Sequence, residues 1–190
     1  MHKYEDEDIK IFGAKKIENE ADVLIRIVEI MKNQRANGNM DRAKLLGETV
    51  AHKIYYELMN EYKGKMSVSV PEVNADSIME QMIKLITFTV EAELHILLDK
   101  YSVSTMTVNA FYDELIKLDE DLYDNITDAF TYYYLVLRKG GDIAVGLGKQ
   151  FAKLCGDKTN ERLQYIGAEI FDEVCALLKN EIEKAEFVND

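Results

Sequence analysis

Tryptophan is missing from this 190-residue chain, proline occurs once, cysteine twice and histidine three times. One proline and ten glycines are too few for a turn-rich all-β fold or a disordered chain. Cys155 and Cys175 stand too far apart for a Cys-x-x-Cys metal clip and are too few for a disulfide framework, a usage that suits a reducing cytoplasm. Long hydrophobic runs are missing as well. The longest, Tyr132 to Leu137, falls far short of the ~20 residues that a membrane-spanning helix needs. Positive charge is scarce, with 23 Lys and Arg against 35 Asp and Glu and a formal net charge of -12. Such a surface repels polyanions, so neither nucleic acid nor an anionic membrane is expected as a partner. The opening Met1 to Asp8 is acidic where a secretory signal needs a positive start and an apolar run, so the expected compartment is the cytoplasm.

What is present is apolar periodicity. An apolar share of 47% with 31% charged residues marks a folded globular chain, and the length suits one domain. Ile17, Ala21, Leu24, Val28 and Met31, joined by Val23 and Ile27, recur at three- and four-residue steps with Asp22, Arg26 and Glu29 opposite, the pattern of an amphipathic helix. Ala36-Asn37-Gly38-Asn39 supplies its stop, because Gly and Asn tolerate the left-handed conformation that closes a helix. Asp41 can cap a second helix carrying Leu45, Leu46, Val50, Ile54, Leu58, Met59 and Tyr62 on a broad stripe, and the short connection predicts an antiparallel helical hairpin over 15–63. Residues 64–76 alternate polar and apolar through Met66 to Val70 and then meet Pro71, which predicts an extended connector.

Ser77-x-x-Glu80 reads as a capping box opening a helix that runs to about Lys100. Tyr101 to Val108 alternates again and reads as a second extended connector. From Val108 to Leu137 the stripe Phe111, Leu115, Leu118, Leu122, Ile126, Phe130 and Tyr133 stays in phase, predicting one long helix or two collinear ones with Asp119-Glu120-Asp121 as the place for a break. Gly140-Gly141 ends it, and 142–154 crosses to a last helix that starts near Thr159 and carries Leu163, Ile166, Ile170, Val174 and Leu178. The predicted fold is all-α, a multi-helix bundle of six or seven helices with two short extended connectors. It forms a single domain made of the hairpin 15–63, the connector 64–76 and a bundle over 77–188.

Chemistry-bearing patterns are few. Gly146-Leu147-Gly148-Lys149 evokes a phosphate loop, but the loop also needs Gly where Ile143 stands and Ser or Thr where Gln150 stands, so close helix packing is the plainer reading. Two Glu-x-x-x-His pairs, Glu48 with His52 and Glu91 with His95, each put a carboxylate and an imidazole on one helix face, and together they offer four ligands to a divalent metal. The helical wheel turns Glu91 and His95 away from their apolar stripe and sets His52 at the edge of its own, which favours ordinary solvated pairs. Glu93 falls within an apolar stripe, near Met82, Ile86 and Leu97, and Asp119 sits similarly among Leu115, Leu122 and Ile126. A carboxylate facing a core is costly unless paired, so each is either a structural partner of a neighbouring helix or, with Tyr133 on the same bundle interior, part of a ligand-binding site.

Asp121, Asp124 and Asp128 share a face and could chelate a metal as all-α nucleotide pyrophosphohydrolases do. Those enzymes use Glu-x-x-Glu followed by Glu-x-x-Asp, whereas Glu169-x-x-Asp172 and Glu183-x-x-Glu186 here lie on one late helix in reverse order. Neither cysteine has a His nearby in sequence and no Ser sits in a nucleophile elbow, so no catalytic residue is assigned.

The stretch Tyr62-x-Gly64-x-x-Ser67-Val68-Ser69-Val70-Pro71-Glu72-x-x-Ala75, with the helix through Ile83 and Phe88, resembles a segment of an uncharacterised family of bacterial all-helical proteins. The resemblance covers residues 62–90, implies a bacterial helical protein and carries no activity. The functional expectation is a non-enzymatic bundle acting through protein contacts, as a homodimer or with a protein partner. One version is an acidic binder of a basic protein, in the manner of nuclease-neutralising immunity proteins. The alternative is a small-ligand or metal-dependent hydrolase built around Glu93. No cofactor is required by the sequence, and a divalent metal is the one it could take.

Overall fold

A computed structural model of the chain describes residues 20–69, 75–120 and 130–188. All the regular structure of the described residues is helical. The helices are α1 (Glu20–Ala36), α2 (Asn39–Lys53), α3 (Met59–Ser69), α4 (Ala75–Leu97), α5 (Tyr101–Leu118), α6 (Phe130–Lys139), α7 (Ile143–Leu154) and α8 (Glu161–Lys184), with a π-helical turn, Ile54–Leu58, joining α2 to α3. Because that turn is continuous with its neighbours, 39–69 is one rod, and the described residues make an all-α bundle of seven helices. None of these helices is long and apolar enough to cross a membrane.

The centre is α4. Every residue from Lys84 to Val90 is buried, and Met82, Leu85, Ile86, Phe88, Val90 and Leu94 fill the interior, as expected of a helix that is apolar around most of its circumference. It packs against α8, α5, α6, α7 and α3. The tightest pairings rest on glycine. A Cβ at Gly47 would run into the Thr107 carbonyl oxygen and approach the Ala110 Cβ to 2.8 Å, so α2 and α5 meet almost backbone to backbone. The reading of Gly148 as a packing residue holds, since a Cβ there would strike the Gln164 carbonyl of α8.

Local chemistry sets the ends. Gly38, at φ 79°, turns α1 into α2, and the Asn37 side chain accepts from the Asn39 N–H at 3.1 Å. Asp41 therefore lies inside the first turn of α2 rather than capping it. Asp142 caps α7 by accepting from Val145 N, and Asn160 caps α8 by accepting from Leu163 N.

Both extended connectors are corrected. Residues 64–69 continue α3, and α4 already begins at Ala75, ahead of the Ser77 capping box. Extending an existing helix costs little once its nucleus is formed, which outweighs a short Ser/Val alternation. The remainder of that connector, 70–74, lies outside the described residues. Tyr101 to Val108 is the start of α5, where Ser104 donates to the Tyr101 carbonyl and Thr107 to the Val103 carbonyl. Small hydroxyl side chains that bond back onto their own helix are buried at little cost, and the pattern then serves a period near 3.6 as well as a period of two. The long segment after Val108 breaks at Asp119, which is extended at φ -162° and ψ 98°. The acidic face of Asp121, Asp124 and Asp128 lies outside the described residues.

The π turn answers a pattern in the sequence. Leu46, Val50, Ile54, Leu58 and Tyr62 are all buried although each lies four residues from the next. A step of four overshoots one α-helical turn by about 40°, so this stripe would roll off one face over its length. The wider π turn at its middle takes up the drift.

Candidate functional site

The residues singled out by sequence are distributed through the bundle, most of them against neighbouring helices. Glu93, half-buried on α4, receives a hydrogen bond from the Cys175 thiol and faces the Lys179 charge, both on α8. Burial pushes its carboxyl above the usual range, and those two neighbours offset the shift only in part. Burial likewise pushes the Cys175 thiol up to about 12, so it is no nucleophile at neutral pH. Asp119 lies at the end of α5, where the Tyr55 hydroxyl donates to its carboxylate over 3.5 Å. Tyr133 is wholly buried against Phe88, ring centroids 5.2 Å apart, and its hydroxyl has no hydrogen-bond partner among the described residues.

The four residues offered as metal ligands find other partners. Glu48 pairs with Lys44 at 3.8 Å. His52 Nε2 lies 3.0 Å from the Glu114 carboxylate of α5. Glu91 accepts from the hydroxyls of Tyr112 (2.8 Å) and Tyr134 (3.2 Å). His95 Nδ1 lies 3.2 Å from Ser104 Oγ. Among the described residues no three His, Cys, Asp or Glu side chains are grouped so as to hold a metal ion. Glu114, missed in the sequence, is held below the usual carboxyl range by Lys117, with His52 adding to the effect. A second polar cluster, also unread, joins α3 to α8. There Lys65 reaches Glu61 (2.9 Å), Glu169 (3.4 Å) and Glu173 (3.5 Å) and lies 4.4 Å over the Tyr62 ring.

What stands out is that, among the described residues, α1 is incompletely packed. The hairpin reading pairs α1 with α2, and α2 is indeed its principal neighbour. Yet the side chains of Val23, Leu24, Ile25, Ile27, Val28 and Ile30 are all exposed, Leu24 to 62% and Ile25 to 57%. Ile27, Ile30 and Met31 form one wall of a cleft of about 520 Å³ whose other walls are Met40 of α2 and Tyr101 and Met106 of α5. Leu24, Ile25 and Val28 take no part in that cleft and face outward beside it.

An isolated helix of this length is marginal in water and takes its stability from burying an apolar face. Fully covering a Leu, Ile or Val side chain is worth roughly 1.5–3 kcal/mol. Contiguous exposed apolar side chains of this kind are uncommon on the surface of a folded monomer. The signal was present in Val23-Leu24-Ile25-Arg26-Ile27-Val28, which is apolar on more of the helix than one packing face needs. Comparison of the chain with models of protein families, with curated proteins and with solved structures finds no match.

Proposed function

We propose that this protein acts through protein–protein contact, with α1 as its contact element. One observation carries the reading: among the described residues, six large apolar side chains are exposed on a single helix, beside a core built by the other helices. Glu93, His52, Glu91 and His95 each have a polar partner on a neighbouring helix, and Glu48 has one on its own, which supports contact over catalysis.

Native mass spectrometry of protein purified without added metal, set against its denatured mass, tests the proposal directly. The expected result is a complex, dissociated by Leu24→Glu and Val28→Glu while circular dichroism keeps its helical signal. Both positions are exposed, so these changes spare the core. A stoichiometric metal or small molecule that is lost on Glu93→Gln, with no complex formed, would favour the hydrolase alternative instead.

A further inference from the structure

Of the described side chains of α1, 23–36, one is wholly buried, and it is polar: Gln34, in the last turn. Its Oε1 accepts from Asn39 Nδ2 at the start of α2, over 2.8 Å. The same Asn39 amide takes up both backbone polar groups of Val188, donating to the carbonyl and accepting from the N–H. The foot of α1 is therefore held at a polar node shared by α1, α2 and the segment that follows α8.

That segment, 185–188, is set in place against a strain. Glu186 has φ 49° and is the one non-glycine residue with positive φ among the described residues. It stands directly after Ala185, the C-cap of α8, where glycine is the usual choice because a Cβ makes the left-handed conformation costly. A backbone held this way persists only when its surroundings hold it. The seat beyond it is loose: Val188 is exposed, Phe187 is half-buried, and a cavity of about 170 Å³ remains beside Phe187 against Leu97, Leu98 and Val103. Apolar packing is thus incomplete here, and the Asn39 hydrogen bonds are what fix Val188.

We propose that 185–188 is a releasable strap that sets how firmly α1 is held. Fastened, the Val188 backbone fixes the Asn39 amide in the orientation that meets Gln34. Released, Glu186 relaxes to an ordinary conformation, water replaces Val188 at Asn39, and α1 loses the support of its one buried anchor and loosens about Gly38, already at φ 79°. The strap rests on the contact reading for its purpose, the regulation of α1, while the fastening is independent of what α1 meets.

Trypsin reads the state of α1. Lys32 and Arg35 are exposed on it and are cut when its last turns open, whereas Lys84, buried on α4, is cut only when the bundle opens. In the full-length protein, Val188→Pro removes the N–H that donates to Asn39. Cleavage after Lys32 and Arg35 is expected to quicken about three- to tenfold, the worth of one hydrogen bond, with no change after Lys84. Asn39→Ala is expected to quicken the same cuts, and adding Val188→Pro to it to bring nothing more, because both open one fastening. Glu186→Gly, which removes the strain, is expected to slow them. Cuts after Lys32 and Arg35 that ignore Val188→Pro, an acceleration that extends equally to Lys84, effects of Asn39→Ala and Val188→Pro that simply add, or a Glu186→Gly protein cut no more slowly would each overturn the strap. Leu24→Glu, which tests the contact reading, lies on the outward face and leaves the fastening intact, so either reading can fail without the other.

Discussion

Glu93 holds its proton more tightly than a surface carboxyl, because burial between α4 and α8 outweighs the Lys179 charge and the Cys175 hydrogen bond. A carboxyl whose pKa is raised on folding binds more protons folded than unfolded, so stability falls as pH rises from the unfolded value near 4.5 through the folded one. Glu93→Gln removes that dependence. Urea titrations are expected to show the variant gaining on the wild type between pH 4 and pH 7, by an amount that levels off once Glu93 is ionised in both states. An unchanged difference across that range would show that the residue is not desolvated. Glu181 works in the opposite sense: burial disfavours its charge, but hydrogen bonds from Lys184 and Lys53 prevail and hold its carboxyl low, so its contribution is lost on acidification. Tyr133 offers a third check. Its buried hydroxyl lacks a partner among the described residues, so Tyr133→Phe is expected to be neutral or stabilising by up to about 1 kcal/mol in denaturant unfolding. Helical-wheel reading could find that Glu93 faces inward, because period and polarity are local properties. That it meets Cys175, or that His52 meets Glu114, depends on which helices pack together, and no local pattern encodes that.

At the scale of elements, the helices that sequence located best are those with strong stops. Gly38, Gly140 and Gly141 all have positive φ, and Asp142 and Asn160 both cap, so the boundaries around them were legible. The two alternating patches misled because Ser and Thr can serve a strand face or bond back onto a helix, and the choice is made by the helix already growing beside them. The α2–α5 contact was invisible in sequence, since a lone glycine in a helix signals close approach without naming the helix approached. Gly47→Ala tests it. The added methyl has no room between Thr107 and Ala110, and the expected cost is about 1–3 kcal/mol, read as a lower denaturation midpoint with an unchanged slope. Gly64→Ala is the matching control, because nothing lies within 4 Å of a Cβ there and helix propensity alone should make it stabilising.

For the molecule as a whole, the rarity of proline and glycine argued against a turn-rich β fold, and apolar recurrence at three- and four-residue steps identified an all-α one. The exposed face of α1 was legible only as an excess of apolar residues over Val23 to Val28, because amphipathicity shows that a face needs cover without showing whether the same chain supplies it. One feature of the bundle links its distant parts. The Asn39 side chain donates to the Val188 carbonyl and accepts from the Val188 N–H, both at 2.8 Å, and also donates to Gln34 at 2.8 Å. A single amide thus takes the place that a neighbouring strand would fill, and it fastens 39–188 into a loop whose two ends meet at the corner below α1. The Val188 amide proton becomes a reporter for that corner. Its solvent exchange, followed by NMR, should be slow in the wild type and should approach that of an open peptide in Asn39→Ala. Anything that levers α1 away from the bundle should speed it too, so events on α1 can be timed from the amide proton of Val188.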